Sequence, residues 1–261
     1  MGRFHRHDDG TVHSHDHVDE HHSHEHHDHG DHSGYQTGSQ RIDVLESIFA
    51  ENDIRADYNR KAFESNGVRA LNLMSSPGSG KTTVLGATLE ELAGEFAVGV
   101  IEGDIATDLD AAKLGGRGAQ ISLLNTGNGF GGECHLDAPM VNQALQGLDL
   151  APLDLVIIEN VGNLVCPAEF DVGEHAKAMV YSVTEGDDKP LKYPVMFRAV
   201  DVVLLNKIDL VPYLDVDVDC YTEHVREVNP TATILPVSAR TGAGMSAWFG
   251  WLRRFIAGSA T

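Results

Sequence analysis

One short segment restricts the folds open to this chain more than any other. Ser75-Ser76-Pro77-Gly78-Ser79-Gly80-Lys81-Thr82 follows an apolar run at residues 68–74 and opens a stretch at 81–95 that reads as a helix. The apolar run reads as a strand. Glycines, a lysine and a threonine therefore occupy a strand-to-helix turn, the context a phosphate-binding P-loop requires. The backbone N–H groups of such a loop, with the helix N-terminus, cradle phosphate oxygens. Lys81 would neutralise the β- and γ-phosphates, and Thr82 would put its hydroxyl on Mg²⁺. Gly78, Ser79, Gly80 and Thr83 complete the candidate phosphate site. Ser75 stands where the usual pattern has its first glycine.

The alternation continues along the chain. Residues 41–65 read as a helix, with Ile42, Leu45, Ile48 and Phe49 on one face and Asn66-Gly67 at its end. Further strands are predicted at 98–102, 121–124, 153–158, 199–205 and 233–237. Further helices are predicted at 106–114, 138–148 and 244–256. The run at 153–158 is apolar almost throughout, as a strand buried on both faces should be. Strands alternating with helices predict an α/β fold: a mostly parallel central sheet with helices on both faces. Ligands of such sheets bind at the carboxyl ends of the strands.

A second motif selects the base. Asn206-Lys207-Ile208-Asp209 follows the apolar run that ends at Leu205. Asp209 can accept two hydrogen bonds from the N1–H and N2–H₂ edge of guanine, a donor pair that adenine lacks. The wrong base leaves the carboxylate unsatisfied. Lys207 can lay its stem along the base, and Asn206 would brace the P-loop. Ser238-Ala239-Arg240, after the next strand, suits a backbone contact to guanine O6. GTP is thus favoured over ATP.

Glu159 ends the strand at 153–158, where an acidic residue can hold Mg²⁺ through water. Gly162 lies where a backbone N–H could sense the γ-phosphate. Asp104, at the end of the second strand, is a candidate for orienting the attacking water or the metal; the alternative is a cap for the helix after it. The candidate catalytic set is Lys81, Asp104 and Glu159, and the Mg²⁺ set is Thr82, Asp104 and Glu159.

A third constellation is metal-like. Cys134 and His135 are adjacent in a Gly-rich loop, and Cys166 follows 31 residues after His135. The spacing is not a standard zinc pattern, and scattered Cys and His are more often unrelated. Both loops follow neighbouring strands, however, and thiolate with imidazole suits Zn²⁺ or Ni²⁺. Cys220, on a polar helix, reads as structural or incidental.

Of the 15 histidines, 12 lie within residues 1–34, together with eight acidic and two basic residues. That segment cannot bury enough apolar surface to offset ordering, so disorder is expected across it, with residues 35–40 as a linker. Residues 1–40 thus read as a tail and 41–261 as the folded domain. His13, His15, His17, His21, His22, His24, His26, His27 and His29 offer interchangeable donors for divalent ions. A solvating tail without function is the plain alternative.

The chain carries 39 acidic against 19 basic residues, a formal net of −20. A nucleic-acid scaffold or an anionic-membrane binder needs a basic face, so both are disfavoured. No apolar run approaches the roughly 18 residues of a membrane span. Residues 1–10 lack the apolar core of a secretory signal. Three cysteines form no disulfide framework, and the cytoplasm is the expected compartment.

Taken in order, the P-loop, Glu102-Gly103-Asp104, Gly132-Glu133-Cys134-His135-Leu136, Glu159-Asn160-Val161-Gly162-Asn163-Leu164-Val165-Cys166-Pro167 and Asn206-Lys207-Ile208-Asp209 resemble the hydrogenase nickel-incorporation GTPases, the HypB family. The resemblance covers roughly residues 41–257, and the family's loop commonly has Ser at the position of Ser75. It implies a G domain of the SIMIBI type and a GTPase that helps deliver nickel to the large subunit of [NiFe] hydrogenase; separately, the residues themselves predict Mg²⁺ dependence, and the lack of a glutamine between Glu159 and Gly162 predicts slow turnover. It also implies a Ni²⁺ or Zn²⁺ site at Cys134, His135 and Cys166 on a homodimer interface. A HypA-like metallochaperone and the hydrogenase large-subunit precursor are the implied partners. Some members carry an N-terminal Cys-x-x-Cys-Gly-Cys motif. This chain has no cysteine before Cys134. Two rivals stand beside this reading. One is a urease accessory GTPase, whose Cys-Pro-His motif is absent here. The other is a nickel-storage protein with a vestigial nucleotide site.

Overall fold

The computed structural model describes residues 4–6, 12–14, 37–103, 118–124, 135–163 and 166–258, with the backbone alone for residues before 49 and for Cys166. The chain forms two compact units, residues 1–50 and 51–261.

In the first unit, β1 (Phe4–Arg6) pairs antiparallel with β2 (Val12–Ser14), setting His5 opposite His13. No regular structure is expected there from composition. The sequence between the two strands holds Asp9-Gly10, a hairpin signal that composition alone does not register. Helix α1 (Thr37–Ser65) begins inside the segment read as a linker. No proline intervenes there, and Gly38 costs a helix only about 1 kcal/mol.

The elements of the second unit follow in chain order. They are β3 (Arg69–Ser75), α2 (Lys81–Leu92), β4 (Val98–Glu102), β5 (Gln120–Leu123), α3 (Ala138–Leu145), β6 (Leu155–Gly162), α4 (Cys166–Glu169), β7 (Ala176–Ser182), α5 (Lys189–Lys192), α6 (Pro194–Arg198), β8 (Val202–Asn206), α7 (Val218–Val228), β9 (Thr233–Pro236) and α8 (Met245–Ile256). The predicted helix at 106–114 lies outside the described residues. Among the described residues, seven strands form one parallel sheet in the order β5-β4-β6-β3-β7-β8-β9. The P-loop strand β3 is therefore flanked by β6 on one side and β7 on the other.

Strand β7 has no counterpart in the sequence reading. Its residues, Ala-Lys-Ala-Met-Val-Tyr-Ser, hold two alanines and a lysine, which are poor strand formers. It is central only because β3 and β8 pair with it on both sides. Similarly, β6 runs on through Glu159, Asn160, Val161 and Gly162, beyond its predicted end at 158. Pairing of Glu159 with Leu73 and with Glu102 carries the ladder through these polar residues.

Alternation along the strands divides the core. Leu71 and Leu73 of β3 face Val84, Leu85 and Leu89 of α2, and Trp248, Trp251 and Phe255 of α8. The opposite face takes Ala70, with Ile101, Val156 and Ile158, against Phe63 of α1 and Val141 and Leu145 of α3. Trp248 stacks on Trp251 at 5.5 Å and donates its indole N–H to Thr88 at 2.9 Å. The P-loop helix is thus anchored along its buried face. Among the described residues, no helix is long and apolar enough to cross a membrane.

Candidate nucleotide and metal sites

The loop between β3 and α2 turns at two glycines with positive φ: Gly78 at 73° and Gly80 at 99°. Both values lie in the left-handed region that side-chain-bearing residues avoid. Gly80 is also hemmed in, since a Cβ there would come within 2.6 Å of Asn206 Nδ2. The loop lines a cradle of about 280 Å³, closed on one side by Gly162. Gly162 stands beside Ser75 in register, and a Cβ on it would lie 3.5 Å from Pro77 Cα. The end of β6 and the phosphate loop therefore meet backbone to backbone.

Lys81 opens α2 and points its ammonium at Glu159, with Nζ to Oε1 at 2.6 Å. Thr82 Oγ1 donates to the same oxygen at 3.2 Å. Lys81 and Glu159 are only 4% and 1% exposed. Glu159 Oε2, Ser76 Oγ and Ser79 Oγ are buried without a hydrogen-bond partner among the described residues. Buried polar atoms are normally satisfied, so this cluster suits a polar ligand. A threonine hydroxyl beside a carboxylate with one oxygen spare is the donor chemistry that Mg²⁺ takes.

The second motif faces the same loop. Asn206 ends β8, and its Nδ2 donates to Ser79 O at 2.9 Å while its Oδ1 accepts from Ala239 N at 3.0 Å. Ser238-Ala239-Arg240, the expected backbone contact for guanine O6, lines the same cavity as Asp209, with the Ala239 N–H on the Asn206 amide oxygen. Lys207 adopts a left-handed conformation, φ 64°, and donates from Nζ to Gly78 O at 2.6 Å. Its stem bridges from the base motif to the phosphate loop. Asp209 accepts from Ser238 Oγ at 2.6 Å, a contact that fixes the carboxylate from behind. Sequence reasoning missed this role of the Ser238 side chain. A cavity of about 530 Å³ is lined by Asn206, Lys207, Asp209, Ser238, Ala239 and Arg240, and shares Gly80 and Thr83 with the phosphate cradle.

Asp104 and Cys134 lie outside the described residues, as does the side chain of Cys166. His13 falls in β2 by backbone. His15, His17, His21, His22, His24, His26, His27 and His29 lie outside the described residues. Among the described residues, no group of three or more His, Cys, Asp and Glu side chains is arranged to hold a metal. The two loops were expected to follow neighbouring strands; they follow β5 and β6, which β4 separates, because the chain crosses over β4 between them, yet described residues of the two segments meet. The His135 imidazole stacks on Phe170, with centroids 4.2 Å apart and 26° between planes, and Phe170 follows α4, which begins at Cys166.

A buried polar ladder links these segments to the nucleotide face. Asn160, the residue after Glu159, accepts from Leu136 N at 3.0 Å through Oδ1. Its Nδ2 donates to Asn72 Oδ1 at 3.3 Å, and Asn72 Nδ2 donates to Glu174 Oε1 at 3.3 Å. Glu174 Oε2 accepts from Val172 N at 2.7 Å. Burial raises the Glu174 carboxyl above the usual range, opposed by the nearby Lys177 ammonium. Asn160 is quoted in the sequence motif without a role. The available signal was an amide inside otherwise apolar strands, at Asn72 and Asn160 alike.

Comparison with known proteins agrees with this architecture. The family model for the CobW/HypB/UreG nucleotide-binding domain matches residues 69–236. The hydrogenase maturation factor HypB of Azotobacter chroococcum is 50% identical over 216 residues, covering 83% of this chain and 70% of the relative. The factor of the same name from Escherichia coli K12 is 50% identical over 211 residues, covering 81% of this chain and 70% of the relative. The crystal structure of HypB from Archaeoglobus fulgidus superposes with a TM-score of 0.74 at 37% identity, covering 79% of this chain and 99% of that one. HypB from Helicobacter pylori, crystallised in complex with nickel, gives 0.73 at 35% identity, covering 81% and 98%. With a P-loop after β3, the Asn-Lys-x-Asp turn after β8 and 50% identity to the Azotobacter chroococcum factor over 216 residues, the chain belongs to the CobW/HypB/UreG family and, within it, to the HypB hydrogenase maturation factors.

Proposed function

We propose that this chain is a GTPase whose nucleotide state governs the handling of nickel during maturation of [NiFe] hydrogenase. The observation that carries the reading is Asn160. It adjoins Glu159 in β6, and its side chain holds the backbone of Leu136, the residue after His135. Any movement of the end of β6 when the γ-phosphate arrives or leaves is transmitted to the Cys134-His135 loop. A γ-phosphate contact orders such segments and hydrolysis releases them.

In this reading Lys81 leaves Glu159 for the β- and γ-phosphates. Thr82 and Glu159, with Asp104, would hold Mg²⁺, and the ion would supply neutralisation of the charge that develops on the phosphates. Water attacks the γ-phosphorus as the bond to the β–γ bridging oxygen breaks, giving GDP and phosphate. No glutamine stands in Glu159-Asn160-Val161-Gly162 to orient that water, so basal turnover is slow. Asp209 selects guanine, and Asn206 and Lys207 tie the base pocket to the P-loop.

Cys134, His135 and Cys166 bind Ni²⁺ or Zn²⁺. Three protein donors leave a shell incomplete, and two-fold pairing of subunits completes it. The HypA-like metallochaperone and the large-subunit precursor are the proposed donor and acceptor of nickel, in the cytoplasm. Support comes from the nickel complex of the Helicobacter pylori relative.

Two experiments test the reading. The first titrates Ni²⁺ into protein lacking residues 1–34, loaded with GDP or with a non-hydrolysable GTP analogue. The expected affinities differ by about 5–150-fold, and linkage requires nickel to shift nucleotide affinity by the same factor. Indistinguishable affinities, with the same oligomeric state by light scattering, would sink the switch. The second compares nickel stoichiometry by equilibrium dialysis with and without residues 1–34. Deletion should remove most nickel capacity while GTP turnover stays within about twofold, because a segment without a core contributes little to the folded domain. Equal stoichiometry would end the buffering role of the tail.

A further inference from the structure

Helix α1 meets the rest of the second unit through two buried asparagines as well as through Phe63. Asn52 Oδ1 accepts from Ala138 N at 2.9 Å, and its Nδ2 donates to Asp171 O at 2.8 Å. Asn59 Nδ2 donates to Ala138 O at 2.9 Å and to Val172 O at 3.0 Å. Its Oδ1 accepts from Asn142 Nδ2 at 2.9 Å. The two residues are 3% and 0% exposed. They stand two helical turns apart, on one face.

Each amide therefore bridges the same two stretches of backbone. One stretch begins three residues after His135. The other follows α4, whose first residue is Cys166. Between them His135 lies on Phe170. Arg60, next to Asn59, adds bonds to Glu174 O at 2.5 Å and to the Asp171 carboxylate. Apolar side chains alone would pack a helix on a sheet, and a buried amide adds little net stability. What a bivalent amide supplies is a set distance between the groups it joins.

We infer that Asn52 and Asn59 are positioning residues for the metal site: they clamp the segment carrying Cys134 and His135 to the segment carrying Cys166. This rests on the metal-site reading given above. Removing one clamp lets the two segments separate, so the metal must gather its ligands at an entropic cost. Groups bonded directly to a metal ligand typically alter affinity by about 10–100-fold when removed, and Asn52 and Asn59, bonded to backbone three to six residues from the ligands, act at the low end of that range.

The test uses the full chain with Ni²⁺ and a competing chelator of known affinity. Thiolate-to-nickel charge-transfer absorption reports cysteine ligation, and the His-rich tail has no cysteine to contribute to it. Cys134→Ser and Cys166→Ser assign the band. Asn52→Ala and Asn59→Ala are expected to raise the free nickel at half-saturation by about tenfold. Nickel-free GTP turnover should remain within about twofold. Asn142→Ala, which removes only the bond that orients Asn59, should shift the midpoint less and in the same direction. Asn52→Ala and this milder variant carry the test if Asn59→Ala does not fold. Unchanged midpoints in every variant, with a lowered melting temperature, would overturn the inference and leave the asparagines structural. A band that is absent in the wild type, or that survives both cysteine substitutions, would overturn the metal-site reading and this inference with it.

Discussion

Lys81→Ala should abolish measurable nucleotide binding and, in the nucleotide-free protein, lower stability by about 3–5 kcal/mol. Two separate causes act. The phosphate loop loses its only charged side chain, so the electrostatic part of triphosphate binding goes. At the same time Glu159, 1% exposed, loses the ammonium 2.6 Å from Oε1 and, among the described residues, keeps only the Thr82 hydroxyl. Breaking a buried pair from one side leaves an uncompensated charge, which costs far more than the pair contributes when intact. The double variant Lys81→Ala/Glu159→Gln separates the two causes. A neutral amide needs no counter-charge, so the double variant should recover most of the lost stability and none of the binding. Denaturant melts and a fluorescent GTP analogue measure the two quantities. If Lys81→Ala were as stable as the wild type, the buried pair would have no energetic role in the empty protein.

Asp209→Asn should lower GTP affinity on the order of 10⁴-fold and make XTP the preferred nucleotide. The Ser238 hydroxyl, 2.6 Å from Asp209 Oδ1, decides how the new amide sits. It will donate to the amide oxygen, which leaves the NH₂ facing the base edge. That group meets guanine N1–H and N2–H₂ donor to donor, whereas xanthine offers a carbonyl at position 2. Ser238→Ala should produce a milder loss, about tenfold, because the carboxylate remains but is no longer held; a single hydrogen bond to a charged group contributes about 1.5–3 kcal/mol. Competition binding with GTP, XTP and ATP reads all three preferences. Unchanged GTP affinity in Asp209→Asn, with ATP competing equally, would remove Asp209 from base recognition.

The P-loop and the Asn-Lys-x-Asp turn were legible in the sequence because their signals are local. Gly78 and Gly80 mark positive-φ positions, and apolar runs mark the strands that precede each turn. The alternation of strand and helix was enough to call for a parallel sheet, since parallel neighbours need a crossover. Strand β7 escaped because its own residues argue weakly for a strand. Its place between β3 and β8 supplies the ladder that Ala176 and Lys177 do not predict. The polar end of β6 escaped for the same reason.

Local chemistry thus determined, by itself, the phosphate loop, the base-reading motif and the class of fold. Tertiary structure alone decided what holds those parts in register. Asn52 reaches Asp171 across 119 positions of sequence, Lys207 reaches Gly78 across 129, and Ser238 reaches Asp209 across 29. No periodicity or turn propensity encodes such pairs. A single asparagine or serine carries the same local signal whether it faces water or bridges two backbones. Which of the two it does depends on where the sheet order brings its partner, and that order is set by the burial of the whole core.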